Sequence, residues 1–422
     1  MTVTVTIEAA QAVLRENDRG GYTVPSEKLY PFQWNWDSAF VALGWATFDD
    51  PRAWREIERL MEGQWADGLV PHIVFHAPSD DYFPGPAVWG TAHVPPTSGI
   101  TQPPVLASAV FRLVEDAADR PQAEARAAAL YPKLIAWHRW WARARDPEGR
   151  GLVAILHPWE SGRDNSPDWD AALARVTATP VTPIMRRDTG HVGADMRPRD
   201  ADYRRYIALV DLFRALAWQP EALWREAPFK VADVGINAIL HRADQDLAAL
   251  AERFGSPAER SEILARLERQ RAAAAALWSA ANRVFKSFDL IADARIAAAT
   301  SAGFLPLYAG LADAGQVQQM VAEITRWAGA VRYLMPSLSP FDPRFEPKRY
   351  WRGPIWAVVN RMISEGLARH GESALAARIR EDTRALILRS GFAEYFDPTT
   401  GEGLGGGSFS WTAATALSFA PP

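Results

Sequence analysis

Apolar residues recur every three to four positions over most of this 422-residue chain, and that spacing confines it to architectures in which helices bury one stripe each. Ile263, Leu264, Leu267, Ala274, Leu277 and Trp278 predict one face of a long helix over about 257–283. Its start is explicit. Ser256-Pro257-Ala258-Glu259 sets an N-cap serine, a proline at the first helical position and the returning glutamate of a capping box. Further helices read at about 6–17, 37–47, 51–65, 103–117, 122–144, 202–217, 229–253, 314–328, 353–370, 372–389 and 410–418, with a short one near 300–311. Val284 to Ile296 is the one stretch with the character of a hairpin.

The class expected is therefore mostly α. No short repeat or Pro/Gly/Ser linker divides the chain, so residues 1–422 are expected to form a single domain. A dozen helices can close as two concentric rings of six, with an open helical superhelix as the competing arrangement. Long connections rich in proline and aromatics, at about 66–102, 157–201, 329–352 and 391–409, would gather at one end, and loops of that length inside a compact domain usually carry function.

Composition narrows the chemistry. With no cysteine, disulfides, thiolate metal sites and cysteine nucleophiles are excluded. A formal net charge of -4 offers no electropositive footprint, so neither nucleic acid nor an anionic membrane is an expected partner. No apolar run is long enough to span a bilayer and the N-terminus lacks a signal peptide's pattern, which leads us to expect a cytoplasmic protein. No dinucleotide fingerprint, P-loop or metal-ligand spacing is present, so no cofactor or metal is expected. The sequence is silent on oligomeric state. The 18 tryptophans stand out, because many fall in loop-like segments beside polar residues, where flat rings pack against sugars.

Four aromatic-plus-polar clusters lie at element boundaries. HPWESGRDNSPDWD, from His157 to Asp170, concentrates four carboxylates beside two tryptophans, with Asn165 or Ser166 as a candidate N-cap. GFAEYFDPTTGEGLGGGSFSW holds Glu394 and Glu402 in a glycine-rich loop. YPFQWNWDSAF carries Tyr30, Trp34, Trp36 and Asp37, and YWRGPIWAVVN runs from Tyr350 to Asn360. Each could be core packing with a polar edge, and Asp37 an N-cap. Together they argue for one saccharide pocket, in which one of two distant carboxyl groups protonates the departing oxygen while the other activates water. Six arginines between 186 and 205 (Arg186, Arg187, Arg197, Arg199, Arg204, Arg205) would suit an acidic aglycone, since guanidinium binds carboxylate through paired hydrogen bonds.

From Tyr30 to Trp411 the chain resembles glycoside hydrolase family 63, and more closely its short bacterial members that act on mannosylglycerate or glucosylglycerate. FQWNWDSAF, GLVPHIVF, SGITQPP, WESGRDNSPDWD, YWRGPIWAVVNR and EYFDPTTGEGLG with FSWTAA carry the likeness. The resemblance implies an (α/α)6 barrel and inverting hydrolysis of a small α-glycoside, with Asp164 as general acid and Glu394, of the E-x-Y motif, as general base. It also implies that Tyr30, Trp34, Trp36, Asp37, Gln102, Trp159, Gly162 and Trp356 surround the sugar, and that Arg197 and Tyr203 meet the glycerate. Trehalases are similar in these motifs, so a neutral disaccharide is the alternative substrate; the GGGSF run before Ser410 has no residue-by-residue counterpart. A sugar epimerase using His72, His76 or His157, or a saccharide-binding protein without catalysis, are the readings from other classes.

Overall fold

The computed structural model describes residues 3–419. Of the sixteen α-helices among the described residues, four (Pro86–Trp89, Asp170–Ala174, Asp200–Ala215 and Pro220–Glu226) lie in the connections, and twelve alternate between an outer and an inner position along the chain: α1 (Val3–Glu16), α2 (Asn35–Trp45), α3 (Asp50–Met61), α4 (Leu106–Glu115), α5 (Arg120–Arg145), α6 (Val234–Phe254), α7 (Pro257–Ala274), α8 (Leu305–Ala309), α9 (Ala314–Ala328), α10 (Ala357–Arg369), α11 (Ser373–Ser390) and α12 (Ser410–Ser418). The even-numbered helices pack side by side in the order α2, α4, α6, α8, α10, α12, and α12 returns to α2, so the inner ring is closed. Outside it, α3 lies on α2, α5 on α4 and α6, α7 on α6, α11 on α10, and α1 on α12. Apolar side chains from Ala10 to Leu417 join in one continuous core. This is the mostly helical barrel expected, and the open superhelix is excluded by the α12–α2 contact.

Local chemistry explains where the helices begin. Asp49, Asp119 and Asp233 each accept a backbone N–H of the first turn that follows, and Ser256–Glu259 and Asp313–Gln316 form reciprocal capping boxes, each worth about 1 kcal/mol. The inner helices are buried nearly all round: from Asn35 to Ala42, α2 exposes nothing. Polar groups on them must therefore find protein partners, as Asn360 does with Leu334 O, Thr383 Oγ1 and the N–H of Met335.

One expectation needs correction. The helix over 257–283 ends at Ala274, and after one 3-10 turn Trp278–Ser279 pairs as a strand with Val284–Phe285. Its inward stripe is Ile263, Arg266, Gln270 and Ala274, while Leu264 is 39% exposed, because the inward face serves a buried carboxylate on α6 rather than an apolar seam. The hairpin expected within 284–296 is present, Phe288–Asp289 against Ala294–Arg295, and its first strand adds to Val231–Ala232. Among the described residues no helix is long and apolar enough to cross a membrane.

Candidate active site

The N-terminal ends of α2 and α12 and the long connections surround a narrow cavity of about 50 Å³. Pro25, Tyr30, Trp34, Trp36, Asp37, His72, Tyr82, Gln102, Trp159, Gly162, Asp164, Tyr350, Glu394, Phe409 and Trp411 line it. Both expected carboxyls are thus on one cavity although 230 positions apart in sequence, the difference between 394 and 164. Of the surrounding set, Tyr30, Trp34, Trp36, Asp37, Gln102, Trp159 and Gly162 reach the cavity as well.

Asp164 sits in a loop fixed from several directions. Pro158–Ser161 makes one 3-10 turn that closes on Gly162 at φ 67°, where a side chain would come within 2.7 Å of the Trp36 ring. The neighbouring Arg163 reaches Asp168 at 2.8 Å and Asp233 at 2.6 Å, and Tyr206 Oη donates to the Asp164 carbonyl at 2.8 Å. Ser166, not Asn165, is the N-cap that follows. The Asp164 carboxyl itself has no side-chain hydrogen-bond partner and opens on the cavity. Burial pushes it up to about 7, against the pull of Arg197, with a further push from Glu394.

Glu394 is 1% exposed and well partnered. Tyr30 Oη donates to its Oε1 at 3.0 Å, the Gly406 N–H donates to Oε2 at 3.2 Å, and Arg197 Nη1 stands 3.5 Å from Oε1. Gly405 adopts φ 71°, and a Cβ there would lie 2.3 Å from Oε2, so the glycine run lets the backbone close on the carboxylate. Burial raises Glu394 above the ordinary carboxylate range, while Arg197 and the hydrogen bonds from Gly406, Tyr30 and Tyr350 draw it back. Glu402, by contrast, is at the surface, paired with Lys348 at 2.7 Å.

Asp37 is in the first turn of α2, which starts two residues earlier than periodicity placed it, so Asp37 is not the N-cap. Burial raises its carboxyl well above the ordinary range, opposed by its own backbone N–H.

Three expected site residues stand one layer back. Trp356 lies face to face with Trp351, centroids 3.8 Å apart, behind Tyr350 and Trp411. Tyr203 donates to the Phe83 carbonyl at 2.7 Å, under Arg186. Arg197 donates to Tyr30 Oη at 2.7 Å and to Asp188 at 3.1 Å, beside Glu394. Four of the five other arginines of the cluster are engaged with the fold: Arg186 with Asp188 and Asp200, Arg199 with Glu346, Arg204 and Arg205 with backbone carbonyls; Arg187 is exposed. Tyr82, His72, Pro25, Tyr350, Phe409 and Trp411 were not assigned to the site from sequence. Tyr350, Phe409 and Trp411 lie inside motifs already singled out, whereas nothing but an aromatic ring in a Pro/Gly-rich loop marks Tyr82.

An aromatic-walled cavity at the mouth of a closed helical double ring, with two carboxyls from distant segments in contrasting surroundings, is the construction of a glycoside hydrolase. The family model described as Mannosylglycerate hydrolase MGH1-like glycoside hydrolase domain matches residues 30–412, and this chain belongs to that family, within glycoside hydrolase family 63. It is 52% identical over 412 residues to a mannosylglycerate hydrolase of Thermus thermophilus (97% of this chain, 99% of the relative) and 38% identical over 427 residues to a glucosylglycerate hydrolase of Mycolicibacterium hassiacum (97% and 96%). Its fold superimposes with TM-score 0.96 on a solved GH63 mannosylglycerate hydrolase, also from Thermus thermophilus, in complex with Tris and D-glycerate, at 51% identity, covering 98% of this chain and 99% of that one.

Proposed function

We propose that this protein is a cytoplasmic inverting α-glycosidase that cleaves α-mannosylglycerate or α-glucosylglycerate into hexose and glycerate, Asp164 donating the proton and Glu394 activating the water. The observation that carries this reading is the contrast between the two carboxyls of one cavity. Asp164, without a side-chain donor on its oxygens and pushed up to about 7, is the group that still holds a proton near neutrality. Glu394, with two hydrogen-bond donors and a cation beside it, is the group prepared to carry charge and accept a proton from water. In a single displacement the water attacks from the Glu394 side as the glycosidic oxygen leaves toward Asp164, and the anomeric centre inverts.

Trp34, Trp36, Trp159 and Tyr82 offer aromatic faces for the sugar ring, and Asp37 and Gln102 are the groups to take its hydroxyls. Glycerate as aglycone is supported by the named activities of relatives that align over nearly the whole chain. Arg197, whose Nη1 has no hydrogen-bond acceptor, is the cation at hand for its carboxylate.

The test is to incubate the purified, EDTA-treated protein with mannosylglycerate, glucosylglycerate, trehalose and kojibiose and follow the anomeric protons by NMR from the first minute. The expected result is the β-anomer of the hexose as first product from an α-glycosylglycerate. Cleavage of trehalose or kojibiose alone would leave the catalytic pair standing and remove the acidic aglycone. Binding without turnover, or interconversion of free hexoses, would overturn the hydrolase reading.

A further inference from the structure

Arg197 belongs to neither wall of the cavity, yet its guanidinium is 5% exposed and surrounded by the machinery of the base. Nη2 donates to Tyr30 Oη at 2.7 Å, and that hydroxyl donates onward to Glu394 Oε1 at 3.0 Å. Nη1 stands 3.5 Å from the same Oε1, and the guanidinium carbon lies 4.3 Å from the centre of the Tyr350 ring. On its far side Nε donates to Asp188 at 3.1 Å.

The arginine arrives on the 176–199 loop, which is fastened at this point by two further bonds. Tyr395, next to Glu394 in sequence, donates to the Met196 carbonyl at 2.7 Å, and Arg349 donates to the Arg197 carbonyl at 3.1 Å. The dipeptide Glu394-Tyr395 therefore grips the loop twice, once by a side chain carrying the base and once by its neighbour.

We infer that Arg197 is a positioning residue for the base: directly and through Tyr30 it holds Glu394 in its ionised form, so that the base is charged with the 176–199 loop seated. The inference rests on Glu394 being the base. The groups facing Glu394 from each packed element give the reason. Asp37 on α2 and Asp164 on the 157–170 loop present carboxyls to the same cavity, Tyr30 and Tyr350 present hydroxyls, and Arg197 is the cation, itself backed by Asp188. Three carboxyls around one desolvated cavity favour protonation of at least one of them, and a fixed cation beside Glu394 decides that the proton resides elsewhere. Arg197 also draws Asp164 down, though burial dominates there.

The experiment is the pH dependence of kcat/KM for the wild type, Arg197→Met and Arg197→Lys, on the α-glycosylglycerate and on an α-glycosyl fluoride. The fluoride needs no proton to leave, so its acidic limb reports Glu394 alone. Removing the cation raises the folded pKa of Glu394, so the limb should move upward in Arg197→Met by roughly one pH unit, a loss of about tenfold on the acid side. Arg197→Lys should fall between, and KM for the fluoride should hardly change. On the glycerate substrate both limbs should rise together. Should Arg197→Met fail to fold, Tyr30→Phe removes the relaying hydroxyl and should give a smaller upward shift of the same limb. An unmoved limb overturns the inference, and so does a defect confined to KM for the acidic substrate, which would make Arg197 an aglycone contact only. Glu394→Gln in the same series must be inactive at every pH; if it titrates like the wild type, the base assignment fails, which is a separate failure.

Discussion

Two groups of buried carboxylates on this barrel have the same chemistry and opposite fates. Between α5, α6 and α7, Asp244 is fully buried and every side of it is met: Arg266 donates through Nε at 3.0 Å to one oxygen and 3.1 Å to the other, His138 Nδ1 lies at 2.8 Å and Gln270 donates at 2.7 Å. Burial alone would raise Asp244, but the Arg266 charge and His138 pull it well below the usual range. Around the cavity, Asp37 and Asp164 lack side-chain partners and burial prevails. Burial alone therefore does not mark a functional carboxylate; opening on the cavity is what separates Asp37 and Asp164 from Asp244.

The comparison breaks most sharply by mutation of the pair. Glu394→Ala should reduce kcat roughly 10⁴-fold with sugar binding retained, and Asp164→Ala roughly 10³-fold on the glycoside but far less on a glycosyl fluoride. Small and equal losses on both substrates would remove Asp164 from the mechanism. The structural carboxylate predicts the converse. Asp244→Asn leaves Arg266 uncompensated and should cost about 3–5 kcal/mol of stability in denaturant titrations, with kcat unchanged while the protein is folded. A dead but stable Asp244→Asn protein would erase the distinction.

A smaller effect is the pH response of Asp164. Its folded pKa is raised above the unfolded value, so the protonated form's advantage is complete below the ordinary carboxylate range and is lost as pH rises through about 7. Activity should decline over that same window, and the melting temperature of Asp164→Asn should gain on wild type between pH 5 and pH 8 by roughly 1–3 °C. A difference that shrinks with pH would reverse the sign. Least of all, Glu402→Ala, which removes only an exposed ion pair with Lys348, should change stability by less than about 0.5 kcal/mol and leave turnover intact.

Much of this was legible in the sequence because helices announce themselves locally, through spacing and caps, and because the carboxylates travel within aromatic motifs. Ring closure was not, since periodicity says nothing of which helix neighbours which. The failure at α7 has the same origin: Arg266 and Gln270 look like solvated residues until Asp244, on another helix, is seen between them. Trp356 was carried to the sugar by the family resemblance, and its sequence motif does not reveal that it stacks on Trp351. Tyr82 was missed because the 66–102 loop has no period to fix its direction.

The meeting of α12 with α1 and α2 has a consequence for how the molecule comes into being. Asn17 donates to Ser408 O and Ser410 Oγ, and Ser410 N–H to Pro25 O, contacts that span nearly 400 residues. A nascent chain emerging from the ribosome has eleven of the twelve barrel helices and an open seam until Ser418 follows, and pairings this distant form slowly. The carboxylate that would activate water is translated between α11 and α12, so the growing polypeptide acquires its proposed chemistry and the helix that closes the ring together.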